Sequence, residues 1–211
     1  MENGAERFDL KVVELPQDVA DLDLVTDFMR LRKRVFVDGM EWPLMHADGV
    51  EFEQYDTFQN TCYVIAHINR RVLGGARLKP TCATNGSGTV YSYMIRDAYL
   101  GLLPGMPRSL CAEDPPVDPS IWELTRFAAV DRPGGIGEAV LQAANDFLHK
   151  RQAQRCLFLG PPAFLRMAKR LGWTPEALGP VVGNDDGRFL AFGCGVNPPN
   201  PENNHVSMSC T

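Results

Sequence analysis

The stretch WELTRF, residues 122–127, sets an acid, Glu123, and a base, Arg126, three residues apart in a segment otherwise apolar enough for a buried strand. Buried charge costs several kcal/mol unless it is paired or used. Side chains alternate faces along a strand, so these two should point opposite ways unless a β-bulge brings them to one side. Two further clusters have the same character. LRKRVFVDGMEW places Arg32 on an apolar helical stripe with Phe28, Val35 and Phe36, and follows it with Trp42. EFEQYD gathers Glu51, Glu53 and Asp56 within six residues, which repel one another unless a cation sits among them. Arg77, in GGARLKPT, adds a cation inside a strand. Taken singly, each cluster has a plain structural reading: an arginine lying along a helix, a solvated acidic loop, two strand residues with separate partners. The functional reading of the acidic cluster is a pocket for a positively charged ligand.

The clusters fall in a fixed order. LRxxVF is followed by Trp42 six residues after Phe36. ExExYD then ends on Asp56, fourteen residues after Trp42, and GxxRLxPT and WELxRF come next. This series resembles the acyl-homoserine-lactone synthases (LuxI-type autoinducer synthases), in register from Phe28 to Phe127 and more loosely to Gly195. The resemblance implies an acetyltransferase-like fold. The implied reaction acylates the amine of S-adenosylmethionine from an acyl thioester. The substrate carboxylate then closes on its own γ-carbon, giving a lactone and expelling methylthioadenosine. S-adenosylmethionine is thus a substrate, and no cofactor is expected. Arg32, Phe36, Trp42, Asp56, Arg77, Glu123 and Arg126 stand at the family's signature positions, and Glu51 matches as well. Glu53 stands where the family has Asp, and Tyr99 where it has an aromatic that is usually Phe. By this resemblance Arg32, Phe36, Trp42, Asp56, Arg77, Tyr99 and Arg126 would hold S-adenosylmethionine, and Glu123, Glu53 and Arg126 would act in catalysis. The chemistry agrees. Carboxylates suit a sulfonium and an ammonium, an arginine fork suits a carboxylate, and aromatics suit adenine or a sulfonium. The amine must lose a proton before attack, and Glu123 and Glu53 are the candidate bases.

The donor side is less determined. Residues 147–175 carry Lys150, Arg151, Arg155, Arg166, Lys169 and Arg170 and no acid, in a chain of net charge −5. Lys150, Arg166 and Arg170 are candidates for docking an acidic acyl carrier protein, the favoured donor, or the phosphates of coenzyme A. RPGGIG, with Arg132, Gly135 and Gly137, fits the phosphate-cradling loop of acetyltransferases that use coenzyme A, and the phosphopantetheine arm of a carrier protein could use the same helix start. In LFLGPP, Gly160 falls where some family members carry a Thr that bonds a 3-oxo group. An unsubstituted acyl chain is therefore favoured, and the missing bulk would suit a long or wide one. A general N-acetyltransferase of the same fold explains RPGGIG but not the N-terminal series. A non-catalytic binding protein would release no methylthioadenosine.

These residues need a frame to position them. RFDLKVV alternates as a half-buried strand, and residues 21–36 keep a helical apolar stripe. CYVIAHI and VLGGARL flank NRR as a hairpin, and Gly74-Gly75 marks a bulge or a close backbone approach. WELTRFAAV, RCLFLG and RFLAFGCG read as strands, residues 134–150 as the clearest helix and AFLRMAKRLG as a shorter one. Residues 37–60 read as an ordered loop. The expectation is an α/β (α+β) three-layer α-β-α sandwich, GNAT-like, around a mixed central sheet. One synthase domain over 1–195 and a mobile tail over 196–211 are expected.

Of the 211 residues, 45% are hydrophobic and 22% charged, enough for one sizeable core. The acidic balance argues against a nucleic-acid surface, and no apolar run is long enough to span a membrane. MENGAERFDL lacks the basic start and apolar stretch of a secretory signal, so a cytoplasmic location is expected. The six cysteines and four histidines are scattered, without the spacing of a metal site.

Overall fold

The computed structural model describes residues 7–130, 135–184, 186–199 and 208–209. The chain begins with β1 (Asp9–Leu15) and α1 (Leu22–Arg32), which is prolonged by a π-helical stretch over Lys33–Gly39. A small hairpin follows, β2 (His46–Ala47) and β3 (Val50–Glu51), and then β4 (Thr61–Ile68) and β5 (Arg71–Pro80). Next come α2 (Met94–Leu100), β6 (Ile121–Ala129), α3 (Ile136–Lys150), β7 (Arg155–Gly160) and α4 (Pro162–Arg170). The described chain closes with β8 (Glu176–Ala177), β9 (Val182–Asn184), β10 (Gly187–Gly195) and β11 (Met208–Ser209).

One sheet runs in the order β11-β1-β4-β5-β6-β7-β10-β8, with β9 joined to β10. Among the described residues, only β1–β11 and β6–β7 pair in parallel; the other pairs in the sheet are antiparallel. The β4–β5 hairpin turns at Asn69 and Arg70, both at positive φ (48° and 64°), the backbone that matches the twist of two adjoining strands. Apolar residues at alternate strand positions serve both faces. Phe28, Leu31 and Phe36 pack on Val13, Tyr63 and Ile65 on one face, where α2 also lies over β7 and β10. Val140, Ala144 and Phe164, from α3 and α4, pack on Leu124, Phe158 and Phe192 on the other. This is the expected three-layer arrangement.

One local expectation changes. No helix was expected at α2, which has only seven residues and no side-chain cap of its own. The segment from Val196 is anchored where it is described. Asn145 and Asn197 bond each other through side chain and backbone at 2.9 Å in both directions, and Met208–Ser209 pairs with β1.

The Gly-Gly pair of β5 is a close approach. A Cβ added at Gly75 would lie 2.7 Å from the Val64 carbonyl oxygen and 2.9 Å from the Phe28 ring, so α1 can seat on the sheet only where the strand carries no side chain. Gly75→Ala should therefore destabilise the fold by about 1–3 kcal/mol, the usual cost of overpacking. Denaturant unfolding measures this, and a variant as stable as the wild type would show that α1 packs more loosely than described.

Candidate active site

Three arginines and three carboxylates close into a ring of alternating charge. Arg32 Nε donates to Glu51 Oε2 at 2.5 Å, and its two terminal nitrogens grip Asp56 at 2.7 and 2.8 Å. Arg77 Nη1 lies 3.0 Å from the same Asp56, and its Nη2 donates to Glu53 Oε1 at 2.6 Å. Arg126 Nη2 donates to the other oxygen of Glu53 at 2.5 Å, and its Nε returns to Glu51 at 3.2 Å. The EFEQYD carboxylates thus find their cations in α1, β5 and β6. Each guanidinium also lies over an aromatic ring, Arg32 over Phe28, Arg77 over Tyr55 and Arg126 over Phe36, at 5.6–5.9 Å from the ring centre. Burial by itself would raise the Asp56 carboxyl, but Arg77 and Arg32 hold it well below the usual carboxylate range. Burial would likewise lower Arg32 and Arg77, and Asp56 more than offsets it, so both stay charged.

The ring depends on the irregularity in WELTRF. From Gly75 to Arg77 the β5 strand advances two residues while its partner β6 goes from Ala128 to Thr125, one residue more. The extra residue is Arg126, at φ 53°. This β-bulge turns Arg126 to the α1 side of the sheet, the side on which Glu123 and Thr125 already lie. Phe127 points to the opposite side, against Phe164.

Glu123 is fully buried outside the ring. Its two oxygens accept the backbone N–H groups of Met94 (3.1 Å) and Ile95 (2.8 Å), the first of α2. It supplies the cap that α2 lacks, and a carboxylate suits the positive end of a helix. Burial pushes its carboxyl up from 4.5 to about 7, against the lowering effect of those N–H groups and of Arg77. Nearby, Tyr55 donates to Asp97 at 2.9 Å. Lys79, also buried, donates to Thr57 Oγ1 at 3.0 Å and is pushed down to about 8 by burial and then by Arg77.

One edge of the ring meets a cleft of about 920 Å³. The parallel ladder of β6 and β7 ends at Leu124 and Phe158. From there both strands line the cleft, residues 125–129 of β6 with Val130 just after it, and β7 at Leu159 and Gly160. Glu53 and Arg126, the two ring members with about a tenth of their side chain exposed, form its wall. Phe36 and Trp42 stack beside them, centroids 5.3 Å apart and planes 6° from parallel, and the Trp42 indole N–H donates to the Asp186 carbonyl at 2.9 Å. Gly135 and Gly137, at the start of α3, also line it.

Of the residues expected to hold substrate, Phe36, Trp42 and Arg126 thus line the cleft, with Glu53, while Arg32, Asp56 and Arg77 are buried behind them and support the ring. Tyr99 packs against the cluster under α2 and is not part of the cleft lining. Arg132 lies outside the described residues. The basic segment does not stay free of acids: Arg151 pairs with Glu14, Arg155 with Glu176 and Arg170 with Glu138 at 3.7 Å. Lys150 ends α3, 15 residues or about 22 Å from Gly135, and is not part of the cleft lining. Arg166 and Lys169 are exposed on α4, with no acidic partner among the described residues. Met94 and Thr125 in the cleft wall, Asp97 under Tyr55 and buried Lys79 carried no signal in the sequence, because their partners lie in distant segments.

Residues 18–186 match the family described as Autoinducer synthase. An acyl-homoserine-lactone synthase of Acinetobacter baumannii is 31% identical over 81% of this chain and 90% of its own. Among solved structures, a CoA-dependent acyl-homoserine lactone synthase with SAM and isopentyl-CoA superposes with a TM-score of 0.76 at 21% identity, over 97% of this chain and 94% of that one. An acyl-CoA N-acyltransferase from Pseudomonas aeruginosa gives 0.56 at 15% identity, over 88% of this chain and 98% of its own, which places the fold with the GNAT-like acyltransferases.

The raised Glu123 carboxyl makes a testable contribution to stability. Below about pH 4.5 it is neutral folded and unfolded. As pH rises towards about 7 the unfolded chain releases the proton first, so the folded state loses stability from this group. Each pKa unit of difference is worth about 1.4 kcal/mol. Glu123→Gln should lack this loss, so wild-type stability relative to the variant should fall between those two pH values. Denaturant melts that keep a constant offset would contradict it.

Proposed function

This chain belongs to the autoinducer synthase family, and on that premise we propose that it is an acyl-homoserine-lactone synthase, an acyltransferase that joins an acyl thioester to S-adenosylmethionine. The observation that carries the reading is the Glu53–Arg126 edge of a neutral charge ring, set in the cleft wall between a stacked aromatic pair and two splayed strands. S-adenosylmethionine carries a sulfonium, an ammonium and a carboxylate. Arg126 has Nε and Nη2 engaged in the ring, which leaves Nη1 for the substrate carboxylate. Glu53 offers negative charge to the ammonium. Phe36 and Trp42 stack on each other here, and they present an aromatic surface to the adenine or sulfonium.

The amine must be neutral to attack. Glu123, pushed up to about 7, has the proton affinity of a base working near neutrality, and it sits below Met94 in the cleft wall. Glu123 is buried behind the cleft wall, so a water would carry the proton to it; Glu53 lines the cleft and is the base with direct access, with both its oxygens also accepting from Arg77 and Arg126. The amine then adds to the thioester carbon, the thiol leaves and an amide forms. The substrate carboxylate next attacks its own γ-carbon, and the C–S bond breaks with its electron pair on sulfur. Methylthioadenosine leaves because the sulfonium is already a good leaving group. The protein's share in this second step is to hold the bent conformer.

The donor in this reading is an acyl carrier protein. Arg166 and Lys169 provide an exposed basic surface on α4, the helix whose first turns border the cleft. Coenzyme A is the second reading, favoured by the α3 N-terminus opening on the cleft at Gly135, where backbone N–H groups suit phosphate.

Purified protein given S-adenosylmethionine and an acyl thioester should form the lactone and methylthioadenosine in equal amounts, and Arg126→Ala should slow this roughly 10²–10⁴-fold. Acylated product without methylthioadenosine would rule out lactonisation. A second measurement addresses the donor. Arg166→Glu with Lys169→Glu should raise KM for an acyl carrier protein about tenfold at low salt, and the effect should fade as the Debye length falls from about 30 Å at 0.01 M to about 8 Å at 0.15 M. KM for S-adenosylmethionine should stay constant. Higher kcat/KM with acyl-coenzyme A, and indifference to both charge reversals, would establish the second reading instead.

A further inference from the structure

We propose that Phe164, seated on Gly160, is the specificity-determining residue that closes the acyl end of the cleft and restricts the donor to short acyl groups; this rests on the synthase reading above. From sequence, Gly160 is expected to widen the acyl pocket. The structure reverses that expectation. A Cβ added at Gly160 would lie 2.8 Å from Cδ1 of Phe164, a separation that side-chain carbons do not adopt. The absent side chain therefore lets the phenyl ring settle onto β7, and the ring occupies the space that the glycine vacates.

Phe164 is held there from several sides. It stacks on Phe127 at 5.1 Å and 15°, and meets Phe158 and Phe192 edge-on at 5.4 and 5.8 Å. Phe158 and Phe192 in turn stack at 5.0 Å and 13°, and Phe158 leans on Trp173. Aromatic pairs in these geometries add to ordinary burial. At 6% exposure the Phe164 ring is part of the core on one side and of the cleft lining on the other. The space behind Phe158 measures about 10 Å³, at the lower limit of what one water requires. A longer chain directed past Phe164 would have to break the stack rather than fill a void.

The test measures kcat/KM, from lactone and methylthioadenosine formation, for butanoyl, hexanoyl, octanoyl and decanoyl donors, each as the coenzyme A and the carrier-protein thioester. It compares wild type, Phe164→Ala and Phe164→Leu, each checked for a cooperative melt. Wild type should favour butanoyl or hexanoyl over decanoyl by on the order of tenfold or more, since one methylene in an apolar pocket is worth about 10–200-fold. Phe164→Ala should shift the decanoyl-to-butanoyl ratio upward by at least about tenfold, and Phe164→Leu by less. If the alanine variant does not fold, the leucine ratio decides. A ratio between donors separates a depth limit from a general packing role, which would lower all donors alike. Wild-type preference for octanoyl or decanoyl, or an unchanged ratio in a folded variant, overturns the proposal and leaves the synthase reading intact. No lactone and no methylthioadenosine from any donor rejects the synthase reading, and the depth limit with it.

Discussion

Six charges in and around an otherwise apolar layer, three positive and three negative, are tolerable only because each is held by two of opposite sign. Removing one partner of a buried pair leaves an uncompensated charge, typically at a cost of about 3–5 kcal/mol. The closed ring therefore makes α1, the β3 segment, β5 and β6 mutually dependent. It also explains why residues 37–60 are ordered despite their lack of periodicity. The segment delivers Glu51, Glu53 and Asp56 to cations on three other elements, and its path is set by those bonds rather than by helix or strand propensity. Asp56 carries much of this: besides two guanidinium groups it accepts the Tyr63 hydroxyl at 3.0 Å and the Glu53 backbone N–H at 2.9 Å.

The bulge in β6 couples this buried network to the open cleft. An unbroken β6 would send Arg126 to the α3 side and continue its ladder with β7. The extra residue turns the guanidinium to the α1 side, and the same strand parts from β7 just beyond Leu124. One backbone irregularity thus closes the charge ring and accompanies the opening of the cleft. The energetic cost of a non-glycine residue at φ 53° is of the kind that persists only where surroundings over-determine it; two carboxylates and the Phe36 ring do so here.

Glu123 shows a different use of burial. Its contacts are those of a helix cap, yet its proton affinity is that of a group able to exchange protons near neutrality. The two roles are compatible. Capping fixes the carboxylate and the first turn of α2 against the sheet, and burial sets its ionisation. Met94, whose N–H Glu123 accepts, carries its side chain into the cleft wall and its sulfur to within 3.3 Å of Arg77. The helix start, the ring and the cleft are consequently held in one register.

The sequence by itself determined the layers and the cast. Alternation in RFDLKVV and CYVIAHI, the apolar stripes of residues 21–36 and 134–150, and the order of the charged motifs were legible because strand and helix periodicities and fixed spacings are local properties. Arg126, Glu53, Phe36 and Trp42, singled out by the resemblance that those spacings carry, are the candidates that line the cleft. Only the tertiary structure decided which charges face the cleft and which are sealed behind them. The ring joins residues 19 to 75 positions apart, and no local pattern encodes which of several carboxylates a given arginine will meet. The same holds for α2, whose cap comes from a strand 28 residues further on. It holds for the basic segment, whose apparent excess charge is partly cancelled by Glu14, Glu138 and Glu176. Gly160 makes the point most directly. A glycine in a sequence means missing bulk, but whether that space stays empty depends on which side chain packs over it, and here Phe164 takes it.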